Sequence, residues 1–311
     1  MTLRFSLLAF LFASCAAPSA PSLHHPDLSL AGTARSGDTN PNVFLSYNPN
    51  GPVRWNQSWP WMFDLTGIAW DQPTTATSIT PRHVVMANHY QRKVGSTAVF
   101  HDRRGKAHQR TVIKIIPTSE VGLQSDVAVG LLDRPLPESI RNYPILEVKD
   151  EQPPELAGAH ALITDQHRRL FFHKIGLVFG SGLGFRYDTD LDPSKSKKLV
   201  SGDSGNPSFL LSKGELALIE THTGGGSGSG PFYGNSSMLA ALRKAVATLD
   251  PTYQLRTVGM DQKLLKEAAA GRANMPGLSP PRGATSPPAT QPSNANPTKG
   301  PRKRVVMPPA N

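Results

Sequence analysis

The run SGDSGNPSF at residues 201–209 sets an acid, a hydroxyl and two glycines side by side between apolar stretches. A turn needs glycine, but it does not need this set. In one reading the run is a polar loop between strands. In the other, Ser204 is a nucleophile. Gly202 and Gly205 would then permit a tight turn and close approach by a substrate. The amides of Gly202 and Ser204 would face a developing oxyanion. A serine nucleophile also needs a base within hydrogen-bond reach and a third group to orient that base. The stretch ATSITPRHVVMANHY at residues 76–90 offers two imidazoles, His83 and His89. His83 follows Pro81 and precedes an apolar run, a position expected to be exposed at a hairpin. His89 lies at the far end of the same run. The orienting acid belongs at the end of an apolar strand, where it is partly buried. Asp126 in SDVAVGLL meets that demand. Asp133 stands beside Arg134 and reads as a solvated charge, and Asp102 in HDRRGK reads as part of a charged turn. The chemistry that such a serine, histidine and aspartate perform together is acyl transfer.

The elements that must hold these groups read as β-structure. TGIAW, HVVMA, TAVFH, TVIKII, DVAVGLL, HALIT, LFFHKIGLVF and GELALIETH are short runs rich in β-branched and aromatic residues. Clusters of Gly, Pro, Asp and Ser separate them at fairly regular intervals. Many short strands without alternating helices predict an all-β chain of antiparallel barrels or a sandwich. One clear helix follows late. Asn235 or Ser236 caps it, Met238, Leu239, Leu242, Val246 and Leu249 keep helical spacing, and Pro251 prevents its continuation. A second, weaker helix is expected from Asp261 to about Ala270. No internal repeat is visible.

Three of these segments resemble the trypsin/chymotrypsin-like serine peptidases of the bacterial secreted type. ITPRHVVMANH is similar to that family's histidine motif, SDVAV to its aspartate motif and GDSGNP to its serine motif. The chain order His, Asp, Ser is also the family's own. The spacings of 37 and 78 residues suit two compact barrels. The resemblance covers residues 45–262. It implies an all-β fold of two six-stranded antiparallel β-barrels with a C-terminal helix, one barrel at 45–145 and the other, with the helix, at 146–262. It implies the catalytic set His89, Asp126 and Ser204, an oxyanion hole from Gly202 and Ser204, a polypeptide substrate, and no cofactor or metal. Hydrolysis should weaken toward acid pH, because His89 acts as a base only when neutral.

The sequence also departs from the family. Tyr90 stands where many relatives carry a cysteine after the histidine, so no disulfide braces that turn. In many relatives the aspartate before the serine pairs with a new N-terminal amine after cleavage. No such activation site is evident, so Asp203 is expected to pair with another donor or to be in position already. Asn206-Pro207 replaces a common Gly-Pro. Lys198 takes the place, six residues before the serine, where trypsins carry an acid, which disfavours a trypsin-like preference. ELALIETHTGGG resembles the segment of glutamyl endopeptidases whose histidine contacts an acidic side chain. By that match His222 lines the substrate pocket with Thr221 and Lys198, and Glu or Asp is favoured before the scissile bond.

The ends of the chain bear on location and partners. MTLR followed by FSLLAFLFA reads as an export signal too short to span a bilayer. Cys15 is the only cysteine, so it has no internal disulfide partner. FASC resembles a bacterial lipobox, so lipidation of Cys15 is expected to tether the exported protein to a membrane. Residues 1–15 are then the signal, 16–44 a linker, and 263–311 a weak helix followed by a disordered, proline-rich basic tail. Six of the ten net positive charges fall in residues 271–311, where there is no acid. The charge is therefore mostly a property of the tail, and a nucleic-acid partner is not indicated. GGGSGSGPF lacks the Gly-Lys-Ser/Thr ending of a phosphate loop. The scattered histidines lack metal-ligand spacing. The rival reading is a non-proteolytic binding or adhesion protein on the same scaffold, since fold does not fix function.

Overall fold

HVVMA and VAVGLL are buried at every position, which marks them as strands covered on both faces. They pair antiparallel at the centre of the first of two large sheets. The structure is a computed structural model and describes residues 28–149 and 154–275. Cys15, residues 16–27 of the expected linker and the basic tail beyond residue 275 lie outside the described residues. In chain order the short strands β1 (Phe44–Ser46) and β2 (Arg54–Trp55) form a ribbon. β3 (Ile68–Ala69), β4 (Ala76–Thr80), β5 (His83–Ala87), β6 (Thr97–His101), β7 (Ala107–Pro117) and β8 (Val127–Leu132) form a six-stranded sheet. Its order is β3-β4-β5-β8-β7-β6, all pairs antiparallel, and it curls into a nearly closed barrel.

The second sheet holds β9 (Ile145–Glu147), β10 (His160–Thr164), β11 (Leu170–Phe179), β12 (Gly182–Arg186), β13 (Pro207–Ser212), β14 (Glu215–Thr221), β15 (Ser229–Pro231) and β16 (Thr257–Gly259). Its order is β15-β12-β11-β10-β13-β14-β9-β16, an eight-stranded half-barrel. β9 runs parallel to both β14 and β16, the one departure from antiparallel pairing. The chain is thus mostly β, with two barrel-like sheets and a C-terminal helix, an arrangement compatible with a chymotrypsin-like fold. The second sheet has eight strands rather than the expected six; the short runs ILE and TVG lie at one edge as parallel strands, and SGP lies at the other.

Three helices complete the fold: α1 (Leu30–Ala34), α2 (Ser236–Leu249) and α3 (Gln262–Ala273). The Asn235 side chain accepts from the amides of Ser237 and Met238, at 3.0 and 3.2 Å, and so caps α2. Met238, Leu239, Leu242 and Val246 of α2 enter a core shared with Ile79, Val85 and Val129 of the first barrel and Leu162, Phe172 and Phe209 of the second. One continuous apolar core therefore fixes the barrels against each other.

The expected linker is only partly a linker. Residues 28–44 include α1, and Leu30, Ala34 and Val43 are buried. Val43 N donates to Arg168 O at 3.0 Å in the second barrel. Val53 N donates to Gly105 O at 2.9 Å in the first. The stretch from residue 28 through Val53 straps the two barrels together, which its polar composition concealed.

The first barrel closes through a side chain. β3 and β6, its two edges, are not paired with each other. Arg92, 1 % exposed, fills the seam. It donates to Ala69 O of β3 at 2.9 Å, to Thr97 O of β6 at 2.5 Å and to both carboxylate oxygens of Asp71 at 2.7 and 3.0 Å. Asp71 in turn accepts from Val99 N at 3.0 Å. Removing one member leaves a buried charge and two carbonyls without a donor. Arg92→Met is expected to lose about 3–5 kcal/mol of stability, read as a lower urea midpoint at unchanged slope.

His83 corrects the expectation of an exposed hairpin residue. It opens β5 at 0 % exposure, with Nδ1 2.7 Å from Thr80 Oγ1. Burial pushes it down to about 4; Asp250 opposes that shift and Arg82 adds to it. His173 on β11 is likewise pushed down to about 4, mainly by burial. Both rings are neutral in the folded chain, while the unfolded chain protonates at 6.5. Stability is therefore full above 6.5 and falls as pH drops toward 4, by up to about 3 kcal/mol for each ring. Urea unfolding across that range should show the decline, and His83→Asn should reduce its slope.

Candidate active site

The meeting of His89 with Asp126 follows from sheet register. β5 and β8 pair with Ala87 opposite Val127. The residues just past β5 therefore lie beside those just before β8. Asn88 N donates to Asp126 O at 3.1 Å and continues the ladder by one bond. The chain then turns through a short 3-10 helix, Asn88–Tyr90, which swings the His89 side chain back over the strand end. Asp126 Oδ1 accepts from His89 N at 2.8 Å, and Oδ2 lies 2.5 Å from His89 Nδ1. One carboxylate thus fixes both the backbone and the ring. With Nδ1 protonated toward the carboxylate, Nε2 is left as an acceptor. It stands 3.0 Å from Ser204 Oγ.

Ser204 comes from the other barrel, on the loop between β12 and β13, so a link across the interface is needed. Asn206 provides it. Its Oδ1 accepts from Trp70 Nε1 at 3.1 Å and from Thr75 Oγ1 at 3.2 Å, both in the first barrel. Its Nδ2 donates to Asp203 O at 3.1 Å. Gly205 N donates to His222 O at 2.9 Å and His222 N to Asn206 O at 3.0 Å, tying the loop to the end of β14. Asn206 is 0 % exposed, and these bonds use both ends of its amide.

Gly202 has φ +94°, a left-handed conformation that glycine adopts without strain. A Cβ there would also stand 2.5 Å from Gln166 Oε1. Neither the Gly202 amide nor the Ser204 amide donates to a protein acceptor among the described residues. Two amides without a protein acceptor beside a hydroxyl are what an oxyanion site requires.

The residues expected to line a substrate pocket fall elsewhere. Lys198 is exposed and forms no ion pair among the described residues. Thr221 is buried and its Oγ1 lies 2.8 Å from the hydroxyl of Tyr233, itself buried. His222 is 1 % exposed; Nε2 lies 3.2 Å from Thr164 O and Nδ1 2.9 Å from Glu220 Oε1. Nε2 is taken by the Thr164 carbonyl, whereas Nδ1, although close to Glu220, makes no hydrogen bond; the ring is enclosed by protein. Thr221 ends β14 and His222 directly follows it, and both are buried. A cleft of about 620 Å³ does open beside Asp126, lined by Ser125, Phe179, Ser181, Thr223, Ser229 and Pro231.

The other two acids considered in the sequence have structural work. Asp102 is 7 % exposed and accepts from the amides of Arg104 and Lys106 and from His108, so it organises its turn. Asp133 accepts from Thr111 N at 2.8 Å as well as from Arg134.

Asp203 does pair with another donor, Lys197, the neighbour of the Lys198 that was expected in the substrate pocket. Lys197, not Lys198, places Nζ 3.2 Å from Asp203 Oδ2 and 2.6 Å from Asp165 Oδ2. Val200 N and Gln166 N also donate to Asp203, at 2.8 and 3.2 Å. Burial works to raise the Asp203 carboxyl, but the Val200 and Gln166 amides and the Lys197 ammonium outweigh it and hold it below 3.8. A depressed carboxyl contributes its stability above the ordinary aspartate range and loses it only below. The anchor therefore persists through neutral and mildly acidic pH.

Lys197, Gln166, Asn206, Trp70 and Thr75 were not recognised as parts of a site from sequence. The run KSKK signalled a lysine near the serine but not which one turns inward. Gln166 sits on the β10–β11 turn, 37 residues from Asp203, with no local pattern to single it out. No group of three or more His, Cys, Asp or Glu residues suited to a metal occurs among the described residues. No helix among them is long and apolar enough to cross a membrane. No protein-family model matches the chain, and no curated protein matches it.

Proposed function

We propose that this chain is a serine-type hydrolase that cleaves polypeptides through an acyl-enzyme, an endopeptidase resembling the trypsin/chymotrypsin-like family. One observation carries the reading. His89 is held at Nδ1 by Asp126 at 2.5 Å and reaches Ser204 Oγ with Nε2 at 3.0 Å. In this reading Ser204 attacks the scissile carbonyl and His89 takes its proton. His89 then returns the proton to the leaving amine, and Asp126 stabilises the imidazolium. The Gly202 and Ser204 amides receive the negative charge that develops on the carbonyl oxygen. Water repeats the sequence to release the acyl group.

Lys198 lies in solvent and His222 is enclosed, so neither supports a preference for acidic residues before the scissile bond. Export, with tethering through Cys15, remains part of the reading on sequence grounds alone.

A fluorophosphonate probe tests the central claim. It should label the full chain at Ser204, and a diverse peptide library should yield cleavage products. Labelling without any peptide cleavage would favour a hydrolase of other substrates. Failure to label would favour the binding or adhesion protein on the same scaffold.

A further inference from the structure

We propose that Lys197 and Gln166 are positioning residues that hold the oxyanion amide of Gly202 in its working direction, so that this loop is set by internal side chains and needs no newly cut chain end. The inference rests on the reading of Ser204 as the nucleophile. It begins with Asp203, which is 1 % exposed and directly precedes Ser204. Its two oxygens gather four donor groups: the Lys197 ammonium, the Val200 amide, the Gln166 amide and the Gln166 side chain, the last at 3.2 Å. All belong to the interior of the chain.

Gln166 does a second thing. Its Nε2 also donates to Ser201 O at 3.0 Å. The Ser201–Gly202 peptide is trans and planar, so its C=O and N–H point in opposite directions. With the carbonyl held toward Gln166, the Gly202 N–H is turned away from it and has no protein acceptor among the described residues. If that peptide rotated, its carbonyl oxygen would face the site and repel an oxyanion. The absent Cβ of Gly202 lets Gln166 lie this close.

Lys197 sets where Gln166 can be. Its ammonium bridges Asp203 to Asp165, the residue before Gln166. Asp165 is 0 % exposed and also takes Arg169 at 2.8 Å and 3.0 Å. The β10–β11 turn is fastened from its other side by the strap, since Val43 N donates to Arg168 O and Leu170 N to Pro41 O. The turn is thus fixed, and the serine loop is fixed to the turn. Without the Lys197 cation, two buried carboxylates would face each other across the space it vacates.

The test uses the full chain with Lys197→Met, Lys197→Arg and Gln166→Ala, and p-nitrophenyl acetate and a fluorophosphonate as probes. Lys197→Met should lower the acylation rate and the rate of Ser204 labelling by roughly 100-fold, the loss typical of one oxyanion donor. The apparent affinity for the ester should hardly change, and the His89 imidazole proton resonance should stay in place. Gln166→Ala should lose roughly tenfold, and Lys197→Arg should recover most of the rate. Acylation by Lys197→Met at the wild-type rate overturns the inference.

A second readout separates this inference from the hydrolase reading. In the chain labelled with nitrogen-15 glycine, the Gly202 amide resonance should move in Lys197→Met and Gln166→Ala but not in Lys197→Arg. If the wild-type chain is inert toward both probes, the hydrolase reading falls, and the Gly202 resonance alone decides the clamp. An unmoved resonance overturns it in either case.

Discussion

Ser204→Ala should abolish hydrolysis, lowering turnover by about a million-fold, with folding intact. The Ser204 hydroxyl makes a single side-chain hydrogen bond, to His89 Nε2 at 3.0 Å. The loop that carries it is held by other groups: Asp203 by Lys197, Asn206 by Trp70 and Thr75, and the Gly205 amide by His222 O. Alanine at 204 removes none of these. The unfolding free energy measured in urea should therefore stay within about 0.5 kcal/mol of the parent. All fluorophosphonate labelling should disappear. What survives should be the slow background from the oxyanion amides and binding alone. Hydrolysis at the parental rate would remove the central claim.

Asp126→Asn should lower turnover by about ten-thousand-fold while leaving the geometry almost unchanged. Asparagine can keep the bond from His89 N, because its carbonyl oxygen replaces Oδ1. Its amide group then faces His89 Nδ1 as a donor where the carboxylate was an acceptor. That switches the tautomer, so Nε2 carries the proton and cannot take one from Ser204. The imidazolium formed during acylation also loses its counter-charge. The Asp126 side chain is 33 % exposed and its partner His89 48 % exposed. A hydrogen-bonded pair so open to solvent contributes little to folding, about 1 kcal/mol or less. Large loss of rate with little loss of stability is the expected pairing. Nitrogen-15 shifts of the imidazole give the direct check, since they distinguish the two tautomers. An unchanged tautomer with full loss of rate would show that Asp126 acts by charge alone.

Much of the fold was legible in the sequence because strand periodicity is a local property. HVVMA, TAVFH, HALIT and LFFHKIGLVF coincide with β5, β6, β10 and β11 to the residue. α2 starts after Asn235, one of the two expected caps, and ends before Pro251, the expected stop. The short strands β9, β15 and β16 were not legible. A three-residue run such as SGP has no hydrophobic pattern and becomes a strand only because β12 lies beside it. The strap at residues 28–44 escaped for a related reason. Its polar, glycine- and proline-rich composition matches a linker, and only the receiving surface, Arg168 and Leu170 above all, turns it into packed structure.

His83 and Lys198 show how the sequence misled. His83, two residues after a proline, reads as a turn residue, yet β5 begins there and the ring faces inward toward Thr80. Lys198 was singled out by its count from Ser204, a rule of position along the chain. It was expected in the substrate pocket; the loop leaves Lys198 in solvent and turns its neighbour Lys197 toward Asp203. A register of one residue decided between them, and no local preference separates two adjacent lysines.

For this protein the sequence by itself determined the residue types that could do chemistry, their order along the chain and the β-strands that deliver them. Those follow from side-chain chemistry and from short-range periodicity, which any stretch of ten residues carries. Only the tertiary structure decided which of two histidines meets an acid, which of two lysines is buried, and what joins Ser204 to the opposite barrel. Each of these is a contact between segments far apart in sequence: His89 to Ser204 spans 115 residues and Trp70 to Asn206 spans 136. Such contacts are fixed by sheet register and by the shared apolar core, which depend on the packing of the whole chain.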